Sequence, residues 1–113
     1  MLTSPLTAPG FELSFWRSYV PQPFYADRLM LSSLGGWLRE RSLTGIVVCG
    51  ITTNHCCETT ARMGANLGFD VVFVLDATHT FDRKALDGGT ISAEELARVT
   101  AANLNGEFAT IAT

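Results

Sequence analysis

Cys56 stands where a short polar turn is predicted to become a helix, within the stretch from Gly45 to Asp76. Backbone N–H groups at the start of a helix lack partners inside the helix and lie at the positive end of the peptide dipoles. A thiol in such a position ionises more readily, and the thiolate is the nucleophilic form. The same N–H groups can stabilise a developing oxyanion. One turn can therefore supply both the attacking atom and part of the site that stabilises the transition state.

The cysteine pattern leaves a second interpretation of Cys56 open, because cysteine outside disulfides is among the most buried residue types. Cys57 is better explained by packing, and Cys49 lies in an apolar strand and belongs to the core. Zinc sites use separated ligand pairs, whereas adjacent cysteines on a helix point about 100° apart. His55 and His79 complete no known ligand spacing, so neither a metal nor another cofactor is predicted.

Several polar side chains are candidates for a cleft beside the cysteine. Asn54 and His55 precede Cys56, Asp76 follows the next predicted strand, and His79 lies three residues further on. The carboxyl ends of parallel strands meet at one edge of a sheet, where ligand sites gather. Asp76 is therefore a candidate proton acceptor, although a carboxylate that shapes the loop is the simpler explanation. His79 either faces the cleft or lies in solvent.

Strands and helices are predicted to alternate around these residues. Short apolar, β-branched runs predict strands over 45–50, 71–75 and 108–112, and helical patterns cover about 55–67 and the segment from Ser92. Ser92 and Glu95 form a capping box, and Gly68 stands where a helix commonly ends in left-handed backbone. A polar loop is predicted over 76–91. The order β-α-β-α-β predicts an α/β fold with parallel strands and right-handed crossovers.

The first 36 residues are predicted to be an irregular segment rich in aromatic residues and proline, and residues 37–113 form the α/β part. Gly35 and Gly36 together cost a helix about 2 kcal/mol relative to two alanines. The predicted helix is therefore confined to 36–41. Three parallel strands leave exposed edges, so either the aromatic segment covers an edge or the chain needs a partner.

Composition excludes several classes of function. The 113 residues carry a net charge of −3, and no Lys/Arg cluster longer than a pair occurs, so a nucleic-acid surface is not expected. No apolar run of the length of a transmembrane helix, about 18 residues, is present. Three cysteines within nine residues do not form a disulfide framework. A reduced, cytoplasmic setting is expected.

The run from Gly50 to Arg62, GITTNHCCETTAR, resembles the nucleophile motif of the isochorismatase-like cysteine hydrolases, a superfamily that includes nicotinamidases. The family pattern is a valine-rich strand, then G-[VI]-x-T-x-x-C-[VC]-x-x-T-A-R, a glycine, and a second strand that closes on D-A. Asp76 and Ala77 match that ending. The resemblance covers about 37–113, the C-terminal half of such a hydrolase, and it implies a Rossmann-like, three-layer α/β/α fold with an incomplete sheet of about three core strands.

The resemblance also implies a chemistry. Cys56 would be the nucleophile, and a cis peptide between Ile51 and Thr52 would aim the Thr52 N–H, with the Cys56 N–H, at the oxyanion. Attack on a small-molecule amide, or on a related C–N or C–O bond, would give an acyl-enzyme that water hydrolyses. The resemblance implies a homo-oligomer that acts on a small-molecule substrate. The expectation of no nucleic-acid partner and no membrane span comes from the composition instead.

The sequence departs from the family at two triad positions. No apolar run followed by D-x-Q carries the expected aspartate, and Ser18 stands where the lysine is expected, beside Arg17. A truncated chain of reduced activity is therefore expected. Two alternatives stay open: a non-catalytic paralogue or assembly subunit, and a redox-reactive thiol domain. Thiol reactivity against pH and amide turnover distinguish them.

Overall fold

The structure, a computed structural model, describes residues 11–15 and 33–113. Its strands are β1 (Phe11–Phe15), β2 (Gly45–Ile51), β3 (Asp70–His79), β4 (Arg83–Lys84), β5 (Thr90–Ile91) and β6 (Thr110–Ala112). Its α-helices are α1 (Ser33–Glu40), α2 (Glu58–Asn66) and α3 (Ala93–Leu104). A π-helical turn, Thr53–Cys57, joins β2 to α2.

The main sheet is parallel and contains β1, β2, β3 and β6 in that order. Runs of valine and isoleucine suit central parallel strands because both faces of such a sheet are covered. The side chains of Ile46, Val48 and Phe73 on β2 and β3 are buried. This confirms the predicted α/β fold with parallel strands.

The hydrophobic core lies where the helices pack on the two central strands. Its buried members come from both the strands and the helices: Leu38, Ile46, Val48, Cys57, Ala61, Phe69, Val71, Phe73 and Leu104. Cys49 is also buried, so the packing roles predicted for Cys49 and Cys57 are confirmed.

Two features of the first third of the chain differ from the sequence prediction. Residues 11–15 fall in the segment predicted to be irregular, but they form β1, which pairs in register with β2 from Phe11 opposite Gly45. Their alternation of apolar and polar types suits a half-buried strand. The confinement of the first helix to 36–41 is wrong, because α1 begins at Ser33 and runs through both glycines. The burial of Leu38 in the core explains this, since tertiary packing outweighs helix propensity.

The end of β3 also differs from its prediction. A strand ending at 75 and a loop over 76–91 are wrong, because β3 continues to His79 and a short antiparallel hairpin, β4–β5, follows. A bulge separates two stretches of pairing, since Val48 faces Phe73 but Gly50 faces Thr78. The apolar run of β3 ends at the bulge, so the sequence pattern does not predict the second stretch of pairing, at Thr78 and His79.

The ends of the helices follow the predicted local signals. The Ser92 side chain caps α3 by accepting a hydrogen bond from the Glu95 N–H at 3.1 Å, which confirms the capping residue. Gly68 follows α2 with φ of +92°, a backbone conformation that favours glycine. Within the described ranges 11–15 and 33–113, no helix is long and apolar enough to cross a lipid bilayer.

Replacing Gly64 by alanine is expected to destabilise the fold by about 1 kcal/mol, measured by urea denaturation. The new Cβ would lie 2.8 Å from Ile46 Cδ1 and 3.3 Å from Val71 Cγ2, and both of those side chains are buried in the core. Overpacking of this kind costs about 1–3 kcal/mol, which outweighs the gain of about 1 kcal/mol in helix propensity.

Gly36→Ala is the matched control for this prediction. A Cβ at Gly36 meets nothing within 4 Å, so only the propensity term remains and α1 gains about 0.5–1 kcal/mol. Equal changes in stability for the two variants would show that the close approach at Gly64 has no energetic effect.

Candidate active site

The cysteine turn begins where β2 ends. The peptide bond between Ile51 and Thr52 is cis, and Thr52 has extended backbone before the π-helical turn. The Thr52 carbonyl accepts hydrogen bonds from His55 N–H at 3.1 Å and from Cys57 N–H at 3.2 Å. The helical segment therefore starts at Thr53, earlier than the predicted start near His55, and Cys56 lies in its first turn.

The Cys56 sulfur contacts both polar groups of the peptide between Ile51 and Thr52. Its Sγ accepts a hydrogen bond from the Thr52 N–H at 3.3 Å and donates one to the Ile51 carbonyl at 3.0 Å. The donor and the acceptor belong to the same peptide between Ile51 and Thr52. On ionisation the sulfur loses the proton that it gives to Ile51 and keeps the Thr52 N–H, which is a hydrogen bond to a charged acceptor.

Burial separates the three cysteines. Cys56 is partly exposed, whereas Cys57 is 1% and Cys49 is 3% exposed. A hydrogen bond with the Cys56 side chain, burial and the charges of Cys56 and Cys49 raise the pKa of Cys57 far above its ordinary value. Burial also raises the pKa of Cys49. Both buried thiols therefore stay protonated in the folded chain, and Cys56 is the thiol that solvent reaches.

The raised pKa of Cys57 predicts a loss of stability in alkali. Above the ordinary thiol pKa of 9.0, the unfolded chain releases the Cys57 proton while the folded chain keeps it. Stability is therefore fully present below that pH and falls above it, by about 1.4 kcal/mol per pH unit for one proton. Urea denaturation of the wild type and of Cys57→Ala across this range measures the slope.

In Cys57→Ala, the fall in stability with pH is expected to be smaller by about one proton. Tyrosine and lysine ionisation is common to both proteins, so it cancels in the comparison. Parallel pH profiles for the two proteins would contradict a protonated, buried Cys57.

The predicted cleft residues differ in their exposure and in their position relative to the end of β2. Asn54 is half-buried in the turn, and His55 is exposed. His79 pairs with Ile51 in the sheet register and packs edge-to-face on Phe81 at 4.9 Å. Asp76 is exposed in the bulged stretch of β3. The structure thus brings Asn54 and His79 to the end of β2, whereas Asp76 lies before the end of its strand.

A threonine of β3 and the threonine that directly follows the strand contact the turn. Thr53 donates a hydrogen bond to Thr78 between their hydroxyls at 2.8 Å, and the Thr80 hydroxyl donates to Asn54 Oδ1 at 2.6 Å. Thr53 and Thr80 are buried. Sequence reasoning misses these threonines, because their contacts depend on a bulge that no local pattern predicts.

The described residues offer no metal-binding cluster, since no three histidine, cysteine, aspartate or glutamate side chains there converge to hold an ion. Within residues 33–113 the candidate site combines a partly exposed thiol, a backbone N–H beside it and the polar end of β3.

Comparison with known proteins places the chain in a family. Residues 30–103 match the isochorismatase domain. The isochorismatase family protein YrdC of Bacillus subtilis (strain 168) is 38% identical over 82 residues, which are 73% of this chain and 44% of YrdC. Nicotinamidase 3 of Arabidopsis thaliana is 44% identical over 72 residues, which are 64% of this chain and 31% of that protein.

A solved structure shows the same relationship. The cysteine hydrolase from Pseudomonas syringae pv. phaseolicola 1448A superposes with a TM-score of 0.73 at 29% identity, over 86% of this chain and 49% of that one. The chain therefore spans about half the length of these relatives or less. Because the domain match covers more than half of the chain, the protein belongs to the isochorismatase family.

Proposed function

We propose that this chain acts as a cysteine hydrolase on a small-molecule amide or a related C–N or C–O bond, with Cys56 as the nucleophile. The observation that carries the proposal is the Thr52 N–H, which lies 3.3 Å from the Cys56 sulfur. A carbonyl carbon bonded to that sulfur holds its oxygen within reach of the same N–H. Preorganised donors beside developing negative charge are commonly the largest single contribution to catalysis of acyl transfer.

The proposed reaction has two stages. The Cys56 thiolate forms a bond to the carbonyl carbon, and the carbonyl electron pair moves onto oxygen, where the Thr52 and Cys56 N–H groups stabilise it. Collapse of this intermediate breaks the C–N bond, and the amine leaves with a proton. Water then attacks the thioester and releases the acid and the thiol. His79 beside the end of β2 and Asp76 in the bulged stretch of β3 are the candidate proton acceptors.

Ammonia release from small primary amides tests the proposal directly. Nicotinamide belongs in the panel because one relative is a nicotinamidase. We expect turnover of at least one amide, together with a thioester on Cys56 that hydroxylamine traps and that mass spectrometry locates. Absence of ammonia from every amide, with a Cys56 that still reacts with alkylating agents, would contradict the proposal.

Two further properties belong to the proposal. A thiol nucleophile requires a reducing setting, which fits the cytoplasm. A homo-oligomer is proposed from the resemblance to the family, and the molar mass measured by light scattering during size-exclusion chromatography tests it. A monomer at every concentration would contradict this second property alone.

A further inference from the structure

The bulge in β3 changes which residue faces the end of β2. Two residue steps of β2, from Val48 to Gly50, face five steps of β3, from Phe73 to Thr78. In unbroken pairing the partner of Gly50 would be Leu75. Bulges of this kind re-aim side chains next to active sites. The bulge therefore places a hydroxyl where a leucine would otherwise stand.

Thr78 holds both the bulge and the cysteine turn. Its hydroxyl donates to the Leu75 carbonyl at 2.8 Å and accepts from the Thr53 hydroxyl at 2.8 Å. The two hydrogen bonds are compatible, because the Thr53 hydroxyl donates only to Thr78 and the Thr78 hydroxyl donates only to Leu75. Thr53 is 1% exposed, so solvent offers its hydroxyl no replacement partner, and removal of the Thr78 oxygen leaves a buried donor unpaired.

Thr80 makes a second, parallel contact with the next residue of the turn. Its hydroxyl donates to Asn54 Oδ1 at 2.6 Å, and Thr80 is 4% exposed. Thr53 and Asn54 are consecutive and directly follow Thr52, whose N–H contacts the Cys56 sulfur. Both residues between Thr52 and His55 are therefore hydrogen-bonded to residues at or just after the end of β3.

We infer that Thr78 and Thr80 are positioning residues, which act through Thr53 and Asn54 to hold the Thr52 N–H against the Cys56 sulfur. This inference rests on the proposed function, because it assigns the threonines a role in preparing the nucleophile. A turn that is free to shift lets the donor and the sulfur move apart. A misplacement of about 1 Å can lower a rate by about a hundredfold.

Thr78→Val tests the inference, because valine keeps the branched shape and removes the hydroxyl. Thr78→Ser restores the hydroxyl, and Thr110→Val serves as a control at an exposed threonine of β6. The measurement is the rate of Cys56 alkylation by iodoacetamide against pH, scaled to its alkaline plateau. The scaling separates the thiolate fraction from access to the sulfur.

We expect Thr78→Val to move the midpoint of this profile upward by about half a pH unit or more, which is about a threefold loss of thiolate. Thr78→Ser and Thr110→Val keep the wild-type midpoint. The other titratable groups near the turn are present in every variant, so differences between the profiles report the turn; these groups are Cys49, His55, Cys57, Glu58, Asp76 and His79. With an amide substrate, Thr78→Val is expected to lower kcat about tenfold or more, with KM changed less than about threefold.

Thr80→Val and Thr80→Ser repeat the test on the second contact. A wild-type midpoint in both folded valine variants would overturn the inference. Loss of cooperative unfolding in both valine variants would also overturn it, in favour of a purely structural role. Absence of amide turnover, combined with a profile that depends on Thr78, would contradict the proposed function and still support the positioning role.

Discussion

Cys56→Ser is expected to lower amide turnover by about a thousandfold or more, because residues of a nucleophilic site act as a unit. Cysteine is intrinsically the stronger nucleophile and is partly ionised near neutrality, whereas a serine hydroxyl needs a base matched to it. The Cys56 sulfur contacts a backbone N–H and a carbonyl, and neither of these groups removes a hydroxyl proton. Ammonia release under saturating substrate measures the effect.

Cys49→Ala is the matched control for this substitution. Cys49 is buried in β2, so its removal affects packing and leaves the turn in place. We expect turnover to stay within about threefold of the wild type, since a core truncation away from the site acts mainly on stability. Undiminished turnover in Cys56→Ser would mean that bond cleavage does not pass through a thioester.

Local sequence patterns predict the part of the fold that surrounds Cys56. The valine run of β2, the polar turn and the glycine at 68 together predict a strand, a turn and a helix there, and the capping pair Ser92 and Glu95 predicts the start of α3. In each case the side chains that set the element are within a few positions of it. The predicted parallel order follows from the alternation of these elements.

The parts of the fold that local patterns do not predict depend on contacts between distant parts of the chain. The pairing of β1 with β2 joins residues more than 30 positions apart, and α1 keeps two glycines because Leu38 is buried by the core. The stretch of β3 after Leu75 pairs only because the end of β2 is beside it. Hydrophobic periodicity within one segment contains none of this information.

In the candidate site, too, some features follow from the local sequence and others depend on long-range contacts. The position of Cys56 in a turn after a buried strand is predictable, because strand and turn are both local. The partners of the turn are not, because the bulge decides whether Leu75 or Thr78 faces Gly50. A sequence shows that threonines are present at 78 and 80 but not which face they occupy.

Iodoacetamide near neutral pH is expected to modify Cys56 about a hundredfold faster than Cys49 or Cys57 in the folded chain. Alkylation needs both the thiolate and access to the sulfur. Cys56 is partly exposed, whereas the other two thiols are almost fully buried and have a raised pKa. Buried thiols react only through local opening, which suppresses their rates by the opening equilibrium.

Mass spectrometry of one tryptic peptide measures all three rates, because Arg41 and Arg62 flank every cysteine of the chain. Fragment ions between Cys49 and Cys56, and between Cys56 and Cys57, assign each modification. The control is the same reaction in denaturant, where burial is lost and the three rates are expected to agree within about tenfold. Equal rates in the folded chain, or modification of Cys57 before Cys56, would contradict an accessible nucleophile at Cys56, and with it the structural basis of the proposed hydrolysis.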